Sequence, residues 1–138
     1  MKSELEVKFD TESKKVIDDF LLTLYTIEVS EDSYSDLCAF YKYIRDSVIH
    51  DIDISNKTFD DVVEESHECS KTLLQKFKNV MDFMDAFYEE NKDYPVTEIA
   101  KITKWIRSVW INIYTSSKVM SEYVEYRLKY LPPETQNN

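Results

Sequence analysis

The sequence predicts an all-α protein, on the basis of two features of its composition and one repeating pattern. The 138 residues include no glycine and only three prolines. Glycine supplies the positive φ angles that β-hairpin turns and phosphate-binding loops need, so a chain without it is poorly suited to either. Apolar residues instead recur every three or four positions through most of the chain, which is the spacing of one face of a helix.

Size and composition indicate one soluble domain. Hydrophobic residues make up 43 % of the chain, which is enough for a single core at this length. No apolar run approaches the roughly 20 residues that span a bilayer. We therefore expect a single helical domain over 1–131, a cytoplasmic location and no membrane partner. The two cysteines, Cys38 and Cys69, fit reduced thiols better than a disulfide framework.

Charge is unevenly distributed along the chain, whose net charge is −10. Residues 1–98 hold 11 Lys or Arg and 24 Asp or Glu, a net −13, whereas residues 99–138 hold 6 and 3, a net +3. So acidic a surface argues against general binding of nucleic acid along its length. A basic face could form only on the last helix, and we favour the interpretation that its cations neutralise acidic neighbours within the fold.

The first half of the chain predicts an arm and two short helices. Polar and apolar residues alternate over 4–9, which predicts an extended arm over 1–9 that lies on the bundle or pairs with a partner's arm. The first helix should begin near Asp10 and end at 27–29. Ser33 and Asp36 then have the spacing of a capping box and predict the start of the second helix, which fades beyond residue 49.

The second half predicts two long helices. Thr58 and Asp61 repeat the capping pattern and begin a helix that reaches residue 91, and Pro95 suits the first turn of a second one. Each would run about 34 residues, or roughly 50 Å. The two consecutive prolines at 132–133 should end the last helix and leave 132–138 as a disordered tail.

These lengths predict a four-helix bundle in which two short N-terminal helices accompany a long antiparallel C-terminal hairpin. Short helices placed side by side could cover only one end of that hairpin. An exposed apolar stripe would remain, and a homodimer or a dedicated protein partner would cover it. The alternative is that the short helices lie in series and bury the hairpin entirely. The predicted interface residues are Val80, Met84, Phe87, Ile99, Ile102 and Ile106.

Aromatic and basic residues alternate along the last helix. They could form a contact surface for a protein or a platform on which single-stranded nucleic acid stacks. We expect Trp105 and Trp110 to pack against the core, and for the tyrosines we place protein contact ahead of nucleic acid. Tyr123, Tyr126 and Tyr130 therefore join the predicted interface.

One short motif carries candidate chemistry. Arg45 is followed directly by Asp46, and His50 lies five residues after Arg45 near a predicted helix end. This spacing resembles the signature of the HEPN superfamily of helical ribonucleases and nucleotide-binding domains from toxin–antitoxin and phage-defence systems. The resemblance covers about 35 residues and implies a dimeric, metal-independent ribonuclease that leaves a cyclic phosphate. It would make Arg45 the phosphate ligand and His50 the acid–base group, with Asp46 at the polar position.

Two incomplete metal patterns lie nearby. Glu64 and His67 form one Glu-x-x-His, but a di-iron bundle needs a second copy. His67 with Cys38 and Cys69 lacks a fourth zinc ligand at suitable spacing. We expect neither a metal nor a cofactor.

The sequence thus favours an acidic helical interaction protein, of inhibitor, immunity or adaptor type, that docks onto a protein. Its acidic, elongated body could also mimic nucleic acid and occupy a basic cleft. The alternative is a HEPN-like ribonuclease, and RNA is a partner only in that case.

Overall fold

A computed structural model describes residues 2–49 and 58–130, and within these two ranges the chain is all-α, as predicted. A π-helical turn over Ile44–Ile49 continues the second helix, and a short 3₁₀ turn over Glu68–Ser70 precedes the fourth. No helix in the described ranges is both long and apolar enough to cross a membrane. The helices are α1 (Glu4–Tyr25), α2 (Glu31–Tyr43), α3 (Phe59–Glu65), α4 (Lys71–Asn91) and α5 (Val96–Tyr130).

The predicted extended arm is wrong, because α1 already begins at Glu4. The Ser3 hydroxyl accepts a hydrogen bond from the backbone N–H of Glu6 and caps the helix. Leu5 and Phe9 are buried, whereas the side chain of Val7 between them is 50 % exposed. Leu5 and Phe9 are four residues apart and therefore lie on one face of a helix. The segment is helical because these two residues are buried together, although its apolar residues also alternate with a period of two.

The second helix starts three residues earlier than predicted. Ser30, not Ser33, is its N-cap: the two serines form a reciprocal capping box, with Ser33 Oγ accepting from the Ser30 backbone N–H. Asp36, predicted as the capping partner, instead accepts hydrogen bonds from the segment between α3 and α4.

The single long helix predicted over 59–91 is also wrong. It begins as predicted, with a capping box of Thr58 and Asp61, but α3 ends at Glu65. Ser66 is extended (ψ 151°), and α4 starts only at Lys71. The other arm of the hairpin is confirmed, since α5 runs 35 residues from the residue after Pro95. The predicted tail, 132–138, lies outside the described residues.

The short helices cover the hairpin along its length. α1 packs along α4, and α2 packs along the second half of α5, where Tyr41 meets Tyr114 and Tyr34 meets Glu125. The ring of Phe9 meets that of Phe87 at 5.2 Å between centroids, and Phe40 meets Phe77 at 4.9 Å. Because α1 starts at residue 4, it reaches the end of the hairpin that we expected to be exposed.

The predicted hairpin interface is therefore wrong for its apolar part, because the short helices cover this apolar stripe. Val80, Met84, Phe87 and Ile102 are at most 2 % exposed within the single chain. Ile99 and Ile106 are partly buried and pack against the same core. The argument that a second subunit must cover this stripe no longer holds. The three tyrosines of the predicted interface are different, because they remain exposed.

Candidate functional site

The most distinctive surface is an exposed row of large side chains on the last turns of α5. We call it the tyrosine face and define it as Val119, Tyr123, Tyr126 and Tyr130. Their exposed fractions are 55, 44, 55 and 69 %. Exposed apolar residues that stand singly are ordinary, but a contiguous row of them marks a contact surface.

Helix periodicity explains why the row exists. Steps of four, three and four residues place all four side chains on one side of α5. A second row with the same steps, Ile113, Ser117, Met120 and Val124, is buried against the rest of the bundle. α5 therefore has two adjacent helical stripes, of which the fold covers only one.

Contacts within the tyrosine face order its side chains. The rings of Tyr126 and Tyr130 lie 5.1 Å apart. The Arg127 guanidinium donates to the Tyr123 hydroxyl at 2.6 Å and lies 5.7 Å from the centre of its ring. Such a cation–π contact holds both partners in place and lowers the entropy that a binding partner would have to remove.

The surface continues onto α1. The Tyr25 hydroxyl donates to Ser116 Oγ at 3.2 Å, which joins the end of α1 to α5 just before the tyrosine face. Tyr25 is 53 % exposed, and Leu22, one turn earlier on α1, is 64 % exposed. Sequence spacing does not group these residues with α5, because the contact joins positions 91 residues apart.

Charged groups border the tyrosine face on the side of α2. Glu125 accepts a hydrogen bond from the Tyr34 hydroxyl at 2.7 Å, and this bond is the main cause that raises the pKa of Tyr34. Lys129 lies 3.8 Å from Glu125, a loose contact between two partly exposed side chains. Glu122 is exposed one turn before Glu125.

The tryptophans of α5 belong to the core, as predicted. Trp105 contacts Phe9 at 5.6 Å between ring centroids, and Trp110 contacts Phe77 at 5.5 Å. Tyr114 also packs inward, with its ring 6.0 Å from that of Tyr41.

The Arg45 motif occupies the π-helical turn. The Arg45 guanidinium makes two hydrogen bonds to the neighbouring Asp46 carboxylate, at 2.7 and 3.2 Å, and this pairing raises the pKa of Arg45. Arg107 of α5 donates to the carbonyl of Ile49 at 3.2 Å, so a second guanidinium reaches the same turn. His50, the third residue of the motif, lies outside the described residues.

A third cluster surrounds the buried carboxylate of Asp36. Its Oδ2 accepts from the backbone N–H of His67 (2.9 Å) and from Ser70 Oγ (2.7 Å), while Oδ1 lies 2.9 Å from His67 Nδ1. His67 Nε2 faces Asp32 at 3.5 Å. The largest cause of the raised pKa of His67 is its hydrogen bond to Asp36.

This cluster has the residue types of a catalytic triad but not its connectivity. Ser70 donates to the aspartate rather than to His67, so the imidazole is not placed to take a proton from the serine hydroxyl. In the ranges 2–49 and 58–130, no group of three or more His, Cys, Asp or Glu side chains is arranged to hold a metal. Cys38 and Cys69 are free thiols. The cluster joins α2 to the break between α3 and α4.

Comparison with models of protein families, with curated proteins and with solved structures gives no match to this chain. Its function must therefore be inferred from its own surfaces.

Proposed function

We propose that this protein acts by docking onto another polypeptide through the tyrosine face, as an inhibitor, immunity or adaptor protein. The single observation behind the proposal is the exposed row of tyrosines on the last turns of α5. Tyrosine and arginine are enriched among the residues that dominate binding energy at protein interfaces. Here an arginine already holds one of the tyrosines in place.

The physical cost of docking here is low. The tyrosines belong to a long helix whose adjacent stripe is anchored in the core, so their backbone is ordered before any partner arrives. A tyrosine ring also has few rotatable bonds to immobilise. The proposal includes a cytoplasmic location, which suits two free thiols because cytosolic cysteines are kept reduced.

A binding experiment with matched variants tests the proposal. Tagged wild type, Tyr126→Ala and Tyr94→Ala would be used as baits in extracts of the source cell, and bound proteins quantified. Tyr94 is the control, because it is exposed to a similar degree (42 %) but precedes α5. We expect the wild-type and Tyr94→Ala baits to retain the same binding protein, whether it is a different protein or an untagged copy of this chain. The Tyr126→Ala bait should retain at least tenfold less of that protein. Equal retention by all three baits would contradict the proposal.

A second candidate function, a HEPN-like ribonuclease, is supported by the π-helical turn. On an α-helix, residues five apart diverge by about 140°, which would separate the two motif positions. A π-helix pairs residue i with i+5, so residues at that spacing share a face. The turn over Ile44–Ile49, which contains Arg45, has this register, and His50 lies outside the described residues.

In this second candidate the residues have the roles that the resemblance implies. Arg45 would hold the scissile phosphate, and His50 would take the proton of the 2′-hydroxyl as its oxygen attacks phosphorus. The bond from phosphorus to the 5′-oxygen would break, leaving a 2′,3′-cyclic phosphate and a free 5′-hydroxyl that receives a proton. No metal takes part in this scheme.

Incubation of purified protein with a mixed RNA pool in EDTA tests this candidate. Wild type and Lys104→Ala, a control that removes an exposed cation elsewhere, should cleave the RNA. Arg45→Ala and His50→Ala should each lose cleavage. An inactive wild type, or activity that survives both motif substitutions, would remove the candidate.

A further inference from the structure

We propose that a second copy of this chain occupies the tyrosine face, with the two α5 helices packed antiparallel. The inference rests on the proposed docking function and names the occupant of the docking surface. It is carried by the spacing of the exposed residues and by the charges that flank them.

The tyrosine face has the geometry of a helix-to-helix seam. Val119, Tyr123, Tyr126 and Tyr130 occupy alternating a and d positions of a heptad repeat, the pattern by which two helices interlock side chains. In an antiparallel pair, a positions meet d positions. Tyr123 of each copy would then lie against Tyr126 of the other, and Val119 against Tyr130.

Flanking charges select this register. Glu122 and Lys129 both fall on the g side of the seam, one heptad apart. Antiparallel helices bring g positions of the two copies together, so each Glu122 would face Lys129 of the second copy, twice per dimer. A shift by one heptad would place Glu122 against Glu122 in one direction and Lys129 against Lys129 in the other. Both shifted registers therefore oppose like charges.

The distribution of acidic groups favours antiparallel over parallel packing. The tyrosine face lies beyond the point where Tyr25 meets Ser116, so α1 and α4 accompany the other half of α5. α2 stays beside the seam in either orientation, whereas antiparallel pairing would send the two copies of α1, each with six acidic and three basic side chains, to opposite ends. Parallel pairing would place them side by side, where like charges repel.

The available area predicts a weak dimer. A fully exposed aromatic side chain offers about 150–250 Å², so the three tyrosines together offer about 250–400 Å² per copy. Val119 adds to this area, and the total remains below the ~800 Å² that each partner contributes to a standard interface. We therefore expect a dimer that dissociates in the micromolar range.

Sedimentation of the purified full chain from about 1 to 200 µM tests the inference. Wild type and Tyr94→Ala should form the same dimer, and Tyr126→Ala should raise its dissociation constant at least tenfold. Far-UV circular dichroism would verify that each variant is folded. A wild type that stays monomeric over this range overturns the inference.

Charge exchange tests the orientation. Glu122→Lys and Lys129→Glu should each weaken the dimer, because each opposes like charges across the seam. The double variant should recover most of the wild-type affinity, since the pairs are restored with their signs exchanged. Failure of the double variant to recover overturns the antiparallel register, because parallel pairing would instead match Glu122 with Arg127.

The two proposals fail in different ways. A monomeric wild type that still retains a different protein through Tyr126 would overturn the dimer and leave the docking function standing. A monomeric wild type whose bait retains nothing that depends on Tyr126 would overturn both.

Discussion

One buried carboxylate determines where α3 ends and α4 begins. Asp36 is 6 % exposed and satisfies three donors, of which two belong to His67 and one to Ser70. A backbone N–H that leaves a helix needs another acceptor when it is buried. The aspartate supplies that acceptor from a different helix, and the chain can therefore turn between Glu65 and Lys71.

Replacement of Asp36 by alanine should destabilise the protein by about 1.5–3 kcal/mol, because the buried Ser70 hydroxyl and the two partly buried donors of His67 lose a charged acceptor. Equilibrium unfolding in urea would measure the loss. Asp32→Asn is the matched control. The Asp32 side chain is 62 % exposed and lies 3.5 Å from the same imidazole, a longer contact than that of Asp36, so this substitution should change the free energy of unfolding by no more than about 0.5 kcal/mol. Equal losses in both variants would contradict this role for Asp36.

His67 should make stability depend on pH. Asp36 and, more weakly, Asp32 raise the pKa of its imidazole above the usual 6.5, whereas Lys71 opposes the shift. A raised pKa in the folded state means that folding favours the protonated form, so the contribution is complete below about pH 6.5 and is lost as pH rises through the folded-state pKa. The stability advantage of wild type over His67→Gln should therefore be larger near pH 5.5 than near pH 8.5. An advantage that is the same at both values would contradict the assignment.

Local spacing could not reveal the role of Asp36. Ser33 and Asp36 have the spacing of a capping box. In the fold, however, Ser30 forms the box with Ser33, and Asp36 takes no part in it. Whether an aspartate caps its own helix or a segment 31 residues away depends on tertiary packing, which short patterns do not contain. The box of Thr58 and Asp61 was predicted correctly.

At the scale of elements, α1 is what removes the predicted apolar interface from the surface. Its first turns bring Phe9 against Phe83, Phe87 and Trp105. A six-residue segment with apolar residues at every second position also contains an i, i+4 pair, so the period alone cannot separate an arm from a helix. The buried partners on α4 and α5 decide between them.

Phe9→Ala should destabilise the protein by about 3–5 kcal/mol, because it leaves a cavity among aromatic rings. The emission of Trp105, 5.6 Å from Phe9, should shift to longer wavelength as water reaches the indole. Val7→Ala is the control, since Val7 faces outward on the same turn and should change stability by less than about 0.5 kcal/mol. If residues 4–9 were instead an extended arm, the two substitutions would have comparable effects.

α5 was the most predictable element, and for that reason the three tyrosines of the tyrosine face could be grouped from the sequence. Its long unbroken apolar periodicity and the preceding proline define the helix from sequence alone. The spacing of Tyr123, Tyr126 and Tyr130 is therefore sufficient to group them on one face. Sequence spacing could not assign three further residues to this exposed surface, namely Val119, Leu22 and Tyr25. Their exposure depends on which sides of α1 and α5 the other helices cover.

At the scale of the whole molecule, two effects of salt on the proposed dimer oppose each other. The flanking pairs of Glu122 with Lys129 are surface pairs worth about 0.2–1 kcal/mol each, and salt weakens them. The net charge of −10 on each copy produces a repulsion that salt also weakens. The sign of the overall salt dependence therefore depends on which term is larger.

Magnitudes favour the repulsion. In the antiparallel register the centres of the two bodies would lie about 40 Å apart, judged from the helix rise. Two charges of −10 at that distance in water repel by about 10 kcal/mol before screening. At 0.01 M salt the Debye length is ~30 Å, and about 2–3 kcal/mol of this repulsion remains. At 0.15 M salt the Debye length is ~8 Å, and almost no repulsion remains. The repulsion that salt removes is larger than the attraction that it removes from the two surface pairs. The dimer should therefore tighten by about tenfold when the salt concentration rises from 0.01 to 0.15 M.

Sedimentation at the two ionic strengths measures this change, and the Glu122→Lys, Lys129→Glu double variant provides the control. Exchange of the two charges leaves the net charge of −10 unaltered, so the double variant should tighten with salt as much as wild type does. A dimer that weakens as salt is added would contradict this ranking, because the attraction between the flanking pairs would then have to exceed the repulsion between the two net charges. A dimer that is tighter when both charge terms are screened must be held mainly by the uncharged contacts of the tyrosine face, since moderate salt does not reduce contacts between apolar surfaces.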